Sequence, residues 1–537
     1  MTLVKDQQMS RFLRYQSTQK LQRLAEKPFD LTAEGNLTPE RLRGFYAESC
    51  GYRLLYGLEC VTDEVMQALG ELSQEARVPE KMGKMQAGEV MNFIEGYPSE
   101  ERAVLHTAVR DFFAHPNPSE VARKASQVAK EEIEKLRAFI EEIDRESRFT
   151  DLIMIGIGGS NLGPKANFLA LRYLQKPDRN VHFISNVDPD DAAMVLRGLN
   201  LRKSLVVVVS KSGTTLETST NEEFVKSRFV AAGLKPEEHF IAVTGKGSPM
   251  DNTQKYLKCF YIWDWVGGRF SSSSVIGGVM TSFACGFPTY WEMLEGANAM
   301  DKAALDPDLK KNLPLLAALL GIWNHNFLGY PTEALIPYSQ GLERYSAHIQ
   351  QVVMESNGKR IDRKGQTLDF QTCPIVWGEP GTNAQHSFFQ LIHQGTEVVP
   401  MEFIGFKEGQ TGEDFEGEGT TAHQKLLSNM FAQALSLATG KKDDNPNKVF
   451  PGNRPSHILL GNRLTPFSLG ALLSFVEHKV AFQGFIWDIN SFDQEGVQLG
   501  KVLAEKIINR FAARNGKGPD RPYPLGDALI EHLDKLK

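Results

Sequence analysis

The run Ser204-Leu205-Val206-Val207-Val208-Val209 reads as a strand buried in a parallel sheet. Directly behind it stand Ser210, Lys211, Ser212, Gly213, Thr214 and Thr215, and then Glu217 to Arg228 with helical spacing. A strand, a hydroxyl-rich loop and a helix start together form a place for a phosphate. Free N–H groups and the helix dipole favour an anion there, and hydroxyls orient its oxygens. An ordinary N-cap also uses one Ser or Thr. Four hydroxyls with Lys211 and Gly213 in six residues favour the anion site.

A second turn of this kind is Gly156-Ile157-Gly158-Gly159-Ser160-Asn161-Leu162-Gly163-Pro164, after the apolar strand Asp151 to Ile155. It begins like a dinucleotide fingerprint, but Asn161 occupies the position of its last glycine. The sequence holds no Gly-x-x-x-x-Gly-Lys-Ser/Thr run either. Two such turns in successive βα units open at the same sheet edge, where open parallel sheets bind ligands. The expected ligand is therefore a small phosphorylated metabolite rather than a nucleotide.

Strands alternate with helices from 151 to about 265, at 151–156, 181–186, 204–209, 240–244 and 259–263, which predicts a doubly wound parallel sheet. A second α/β stretch has strands at Ala334 to Tyr338, Pro374 to Trp377 and Val398 to Ile404. Residues 1–120 read as mostly helical, 121–147 as one amphipathic helix, and 493–513 as a long helix. The acidic loop around 408–419 reads as a solvated excursion. The fold class is thus α/β, with two doubly wound parallel-sheet domains at 121–290 and 291–510. A helical region, 1–120, precedes them and packs on the second, and a C-terminal arm, 511–537, follows.

At 537 residues the chain exceeds one core, so two or more large domains are expected. A net charge of −6 argues against nucleic acid as partner. Cys50, Cys60, Cys259, Cys285 and Cys373 are scattered and odd in number, which disfavours a disulfide framework or structural zinc. The start has no signal-peptide core, and the longest apolar run, Leu313 to Trp323, is too short to span a bilayer. These features predict a cytoplasmic protein without a membrane partner.

Three further places carry acid–base groups. Arg344 to Asn357 reads as a helix closed by Gly358, with Glu355 in its last turn. The dipole disfavours a carboxylate there, so Glu355 is either a tolerated surface residue or a base in a demanding position. His386 falls in the first turn of a helix predicted over Ala384 to His393. Gln494, Gln498 and Lys501 share one predicted helical face, and Lys501 stands four residues from Glu505, a possible ion-pair partner.

Taken together, these segments closely resemble the glucose-6-phosphate isomerase (phosphoglucose isomerase) family over about residues 120–510. The resemblance rests on Gly156 to Pro164, Ser210 to Thr218, Gly267-Gly268-Arg269-Phe270-Ser271, Met354 to Lys359, Gly381 to Gly395 and Ser491 to Lys501, in the family's order. It implies two sugar-isomerase (SIS-type) domains, no metal and no organic cofactor. The implied activity, a step of glycolysis and gluconeogenesis, interconverts glucose 6-phosphate and fructose 6-phosphate through an enediol. It further implies that Ser210, Lys211, Ser212, Gly213, Thr214 and Thr215 bind the phosphate, and that Gly159, Ser160, Gln351 and Gln494 contact the sugar. Glu355 would be the base, Arg269 the stabiliser of the enediolate, and His386 and Lys501 the ring-opening groups. The family's site is completed across a homodimer interface, with the histidine supplied by the partner. Departures from the usual pattern are Gly213, where many members carry a bulkier residue, and Ala384, which replaces a frequent glycine. The rivals are a dual glucose/mannose phosphate isomerase, a sugar-phosphate-sensing regulator and a dinucleotide-dependent oxidoreductase. The first is usually much shorter, the second has no use for the acid–base groups, and Asn161 disfavours the third.

Overall fold

A computed structural model describes residues 9–536. One compact unit extends to Ser491 and a smaller one begins at Phe492. Two sheets organise the larger unit.

The N-terminal region carries the helices Gln16–Ala25, Asp63–Glu75 and Val78–Gln86 and a hairpin of β1 (Tyr46–Ser49) and β2 (Tyr52–Leu55). Its two turn residues, Cys50 and Gly51, both take positive φ, the geometry that matches strand twist in a two-residue turn. Short strands at Val90–Asn92 and Arg102–Ala103 form a second small pair.

The first sheet comprises β3 (Asp151–Ile155), β4 (Asn180–Ile184), β5 (Ser204–Ser210), β6 (Phe240–Gly245) and β7 (Lys258–Ile262). All pairings are parallel and the order is β4-β3-β5-β6-β7. Every residue of β3 and β5 is buried, because helices cover both faces. Ile153, Val206, Val208, Phe229 and Phe240 fill one side.

The second sheet comprises β8 (Thr332–Pro337), β9 (Ile375–Trp377), β10 (Met401–Phe406) and β11 (Ser456–Gly461), all parallel, in the order β9-β8-β10-β11. The hairpin extends this sheet, with β2 antiparallel to β11 and β1 outermost. Strand β11 and the hairpin are additions to the strands legible in the sequence. The helix Pro466–Trp487 is buried from Leu469 to Trp487, its polar residues Glu477, His478 and Lys479 included, and packs against the helix Phe287–Ala303.

Two clusters of buried charge in this unit are paired. Arg110 donates to both oxygens of Asp301 at 2.8 Å and to Glu477 at 2.6 Å. A second cluster joins Glu59, Glu333, Glu402, His457 and Lys479. The His457 ring lies 2.7 Å from Glu59 and 3.2 Å from Glu402, and the Lys479 ammonium donates to Glu333 at 2.7 Å and to Glu402 at 3.2 Å. Glu333, Glu402 and His457 are the grouping with metal-ligand spacing among the described residues, and the ammonium of Lys479 supplies cationic charge there.

The smaller unit holds the helices Gln498–Arg514 and Pro524–Asp534, joined by Arg510–Asp527 and Arg514–Asp534 ion pairs of 2.6 and 2.8 Å. The expected helix over 493–513 thus begins later, after a 3-10 turn at Glu495–Val497. Around 408–419 the chain is exposed from Thr411 to Glu416, as expected of an excursion, and folds into a two-residue-per-strand hairpin at its end.

Candidate active site

Strand β3 is flanked by β4 on one side and β5 on the other, so chain direction across the sheet reverses between β3 and β5. Ligands of open parallel sheets bind in the crevice at such a point, outside the carboxyl ends of the strands. The glycine turn follows β3 there and the hydroxyl loop follows β5.

The hydroxyl loop is internally braced. Ser210 Oγ lies 3.0 Å from Thr215 Oγ1 and accepts the Gly213 N–H at 3.1 Å. Ser212 Oγ accepts from the Thr214 N–H and hydroxyl at 3.2 and 2.9 Å. Gly213 has φ +69°, and a Cβ there would stand 3.0–3.2 Å from Ser248 and the Met250 nitrogen, so the turn favours glycine. Thr215 is the N-cap of the helix Leu216–Ala231, yet its hydroxyl faces Ser210 and makes no cap bond. The first N–H groups of that helix therefore stay open for an anion. The Lys211 ammonium donates to the carbonyls of Asp264 and Val266 at 3.1 and 3.0 Å, and burial lowers its pKa. Lys211 thus ties the loop to the segment that leads into Arg269.

The glycine turn, Gly158–Ser160, is held against that segment. A Cβ on Gly159 would collide with the Gly268 carbonyl, so only glycine allows the approach. Arg269 is 2% exposed. Its Nε donates to Ser356 Oγ at 2.6 Å, its Nη2 to the Ser491 carbonyl at 2.6 Å, and its Nη1 lies 3.4 Å from Glu355 Oε1. Gln351 Nε2 donates to the other Glu355 oxygen at 2.8 Å. Position 158 faces Gln351 in turn, with a Cβ there 3.5 Å from Nε2. The structure thus brings together the hydroxyl loop, Gly159, Ser160, Arg269, Gln351 and Glu355 through one chain of contacts.

The helix carrying Glu355 differs from the expected one. It is α-helical over Tyr345–Gln350 and widens to π-helical geometry over Gln351–Glu355. Such widened turns recur at functional sites because they re-aim side chains. Gly358 is not left-handed; its N–H closes on the Met354 carbonyl at 3.0 Å. His386 sits in a 3-10 turn, Asn383–His386, after β9, and the α-helix begins only at Phe389. Its side chain is exposed and makes no hydrogen bond or ion pair with any described residue.

In the smaller unit, Lys501 is exposed on the helix Gln498–Arg514 and forms no ion pair with Glu505. Gln494 precedes the helix, so it does not share a helical face with Gln498 and Lys501. Ser356 and the Ser491 carbonyl, which hold the Arg269 guanidinium, have no role in the sequence reading although both lie inside the motifs quoted. Thr244, which no motif marks, also braces the loop: its hydroxyl donates to the Ser210 carbonyl at 2.7 Å.

A phosphoglucose isomerase family model matches residues 56–519. The chain belongs to this family. It is 60% identical over 526 residues to a glucose-6-phosphate isomerase of Protochlamydia amoebophila, covering 98% of each chain. It is 52% identical to that of Chlamydia pneumoniae, covering 93% of this chain and 94% of the relative. A crystal structure of a glucose-6-phosphate isomerase from Chlamydia trachomatis superimposes with a TM-score of 0.94 at 48% identity, over 98% of this chain and 100% of that one.

Proposed function

We propose that this chain is an isomerase that interconverts D-glucose 6-phosphate and D-fructose 6-phosphate, a step of glycolysis and gluconeogenesis. The observation that carries this is near full-length identity of 50–60% to enzymes of that name. The two loops, with Arg269, Gln351 and Glu355 beside them, supply groups that this chemistry uses.

In the proposed mechanism the phosphate binds to Ser210, Ser212, Thr214 and Thr215 and to the open N–H groups behind them. Gly213 gives that loop its turn. Lys211, bonded to carbonyls, holds the loop and adds positive charge. Gly159, Ser160, Gln351 and Gln494 contact the sugar. His386 and Lys501 move the protons that open the ring. Glu355 takes the C2 proton of the open aldose and returns it to C1, while a proton moves between O1 and O2. Arg269 sits 3.4 Å from Glu355 and stabilises the enediolate by a preorganised charge. No step calls on a metal or organic cofactor.

The exposed, unpaired His386 fits a homodimer in which each site borrows the partner's histidine. The proposed domains are SIS-type domains at 121–290 and 291–510, with a helical region before them and an arm after. A cytoplasmic location is proposed with it. Five free cysteines fit a reducing compartment, and among the described residues no helix is long and apolar enough to cross a membrane.

A coupled assay on exhaustively chelated protein tests the activity, which should be undiminished; loss restored by a divalent ion counts against the mechanism. Mixing Glu355→Gln and His386→Ala subunits tests the sharing. Activity should reappear as heterodimers form, and its absence in verified heterodimers would place both groups on one chain.

A further inference from the structure

The two parallel sheets repeat each other. In each, the third strand in chain order, β5 or β10, lies between the first strand and the fourth. Lys211, Gly213 and Thr215 stand one, three and five residues past the end of β5. Lys407, Gly409 and Thr411 stand one, three and five residues past the end of β10. The loop that cradles phosphate in the first sheet therefore has a counterpart in the second.

That counterpart borders an open pocket of about 480 Å³. The volume suits a small metabolite, and the pocket lies at the carboxyl ends of β10 and β11, one strand away from the point between β8 and β10 where chain direction reverses. Tyr52 and Leu460 give it an apolar wall, while Glu48, Arg53, Lys407 and Asn462 supply polar groups. None of these residues serves the isomerisation. Arg53 is paired with Glu48 at 2.6 Å, and the neighbouring Glu408 with Arg463 at 2.6 Å. Lys407 is exposed, and its ammonium makes no hydrogen bond or ion pair with any described residue. The pocket thus carries one uncompensated positive charge, which favours an anion.

We infer that this pocket is a second, non-catalytic site for a small phosphorylated metabolite, with Lys407 at the phosphate and the ligand's body against Tyr52 and Leu460. Binding is weaker than at the first loop. Phe406 and Glu408 replace the hydroxyls of Ser210 and Ser212, and the following helix starts only at Ala422, past the acidic excursion. The comparison rests on the phosphate reading of residues 210–215, so the test separates the two.

Inorganic phosphate is titrated into the full chain and followed by phosphorus-31 relaxation. Wild type should bind two phosphates per chain, Lys407→Glu one, and the double variant Ser210→Ala with Thr215→Ala the other one. Lys407→Glu should lower affinity at the second site about tenfold or more, the effect of removing one charge-assisted contact, with turnover unchanged. One phosphate per chain, lost only in the double variant, overturns the second site and leaves the first intact. One phosphate lost only in Lys407→Glu supports the second site and removes the basis for the first. Two phosphates retained by Lys407→Glu overturn the proposal.

Discussion

Arg269→Lys isolates the contribution of the guanidinium fork from that of its charge. Arg269 is buried and divides its three nitrogens among Ser356 at 2.6 Å, the Ser491 carbonyl at 2.6 Å and Glu355 at 3.4 Å. An ammonium on a flexible stem keeps the charge but not the planar fork, and it cannot reach three partners that diverge. At least two contacts to a charged donor are lost, each of about 1.5–3 kcal/mol. If those contacts hold the arginine against the reacting carbons, the cost appears in the transition state. A loss of about 3–6 kcal/mol corresponds to roughly 10²–10⁴ in kcat/KM. The loss should fall mainly on kcat, because the phosphate loop is untouched. Steady-state kinetics with both sugar phosphates, on protein with a verified cooperative melt, provide the measurement. A variant within fivefold of wild type in kcat/KM would refute the reasoning, since charge alone would then suffice.

Replacing both Ser210 and Thr215 by Ala should weaken sugar phosphates and inorganic phosphate in parallel, by about 1.5–3 kcal/mol for each hydroxyl lost; an unchanged KM and an unchanged phosphate inhibition constant would remove the loop from the site. Gly470→Ala should destabilise the fold by about 1–3 kcal/mol, because a Cβ there would strike the Met293 carbonyl of the facing helix; urea midpoints check this, and an unshifted midpoint contradicts the packing described. Burial opposes charge on His457, yet its bonds to Glu402 and Glu59 outweigh burial and raise its pKa to about 9. That raised value stabilises the folded state fully below about pH 6.5, and the contribution is lost as pH climbs through about 9. Stability of the wild type should therefore fall between those values, and His457→Gln should flatten that part of the profile.

The first sheet was legible in the sequence because β3, β5 and β6 are apolar through their middles. The predicted β3, β5 and β6 fall within a residue or two of the observed bounds. The second sheet was legible only in part. Strand β11 opens on Ser456 and His457, whose polarity conceals a buried strand; His457 lies in the core only because two carboxylates meet it there. The hairpin of β1 and β2 escaped notice because alternate residues, Tyr46, Glu48 and Arg53 among them, face solvent at the sheet edge. Glu355 and Arg269 were legible as motif residues, but their ion pair is not, since it joins positions 86 residues apart through tertiary packing. The π-helical turn under Glu355 has no counterpart in any residue pattern, so a continuous helix was the natural expectation.

In the proposed mechanism Glu355 carries the proton between C2 and C1. Gln351 and Arg269 hold its two oxygens, at 2.8 and 3.4 Å, so Glu355→Gln preserves shape while removing the base. The variant should bind substrate nearly normally and lose more turnover than the roughly 10²–10⁴ assigned to general acid–base help, because the amide cannot hold the proton. The direct measurement is exchange of the C2 proton of glucose 6-phosphate in deuterated water, followed by NMR. Wild type should incorporate deuterium alongside isomerisation, and Glu355→Gln should show neither. Exchange by the variant at near the wild-type rate would contradict the account and assign the proton to another residue.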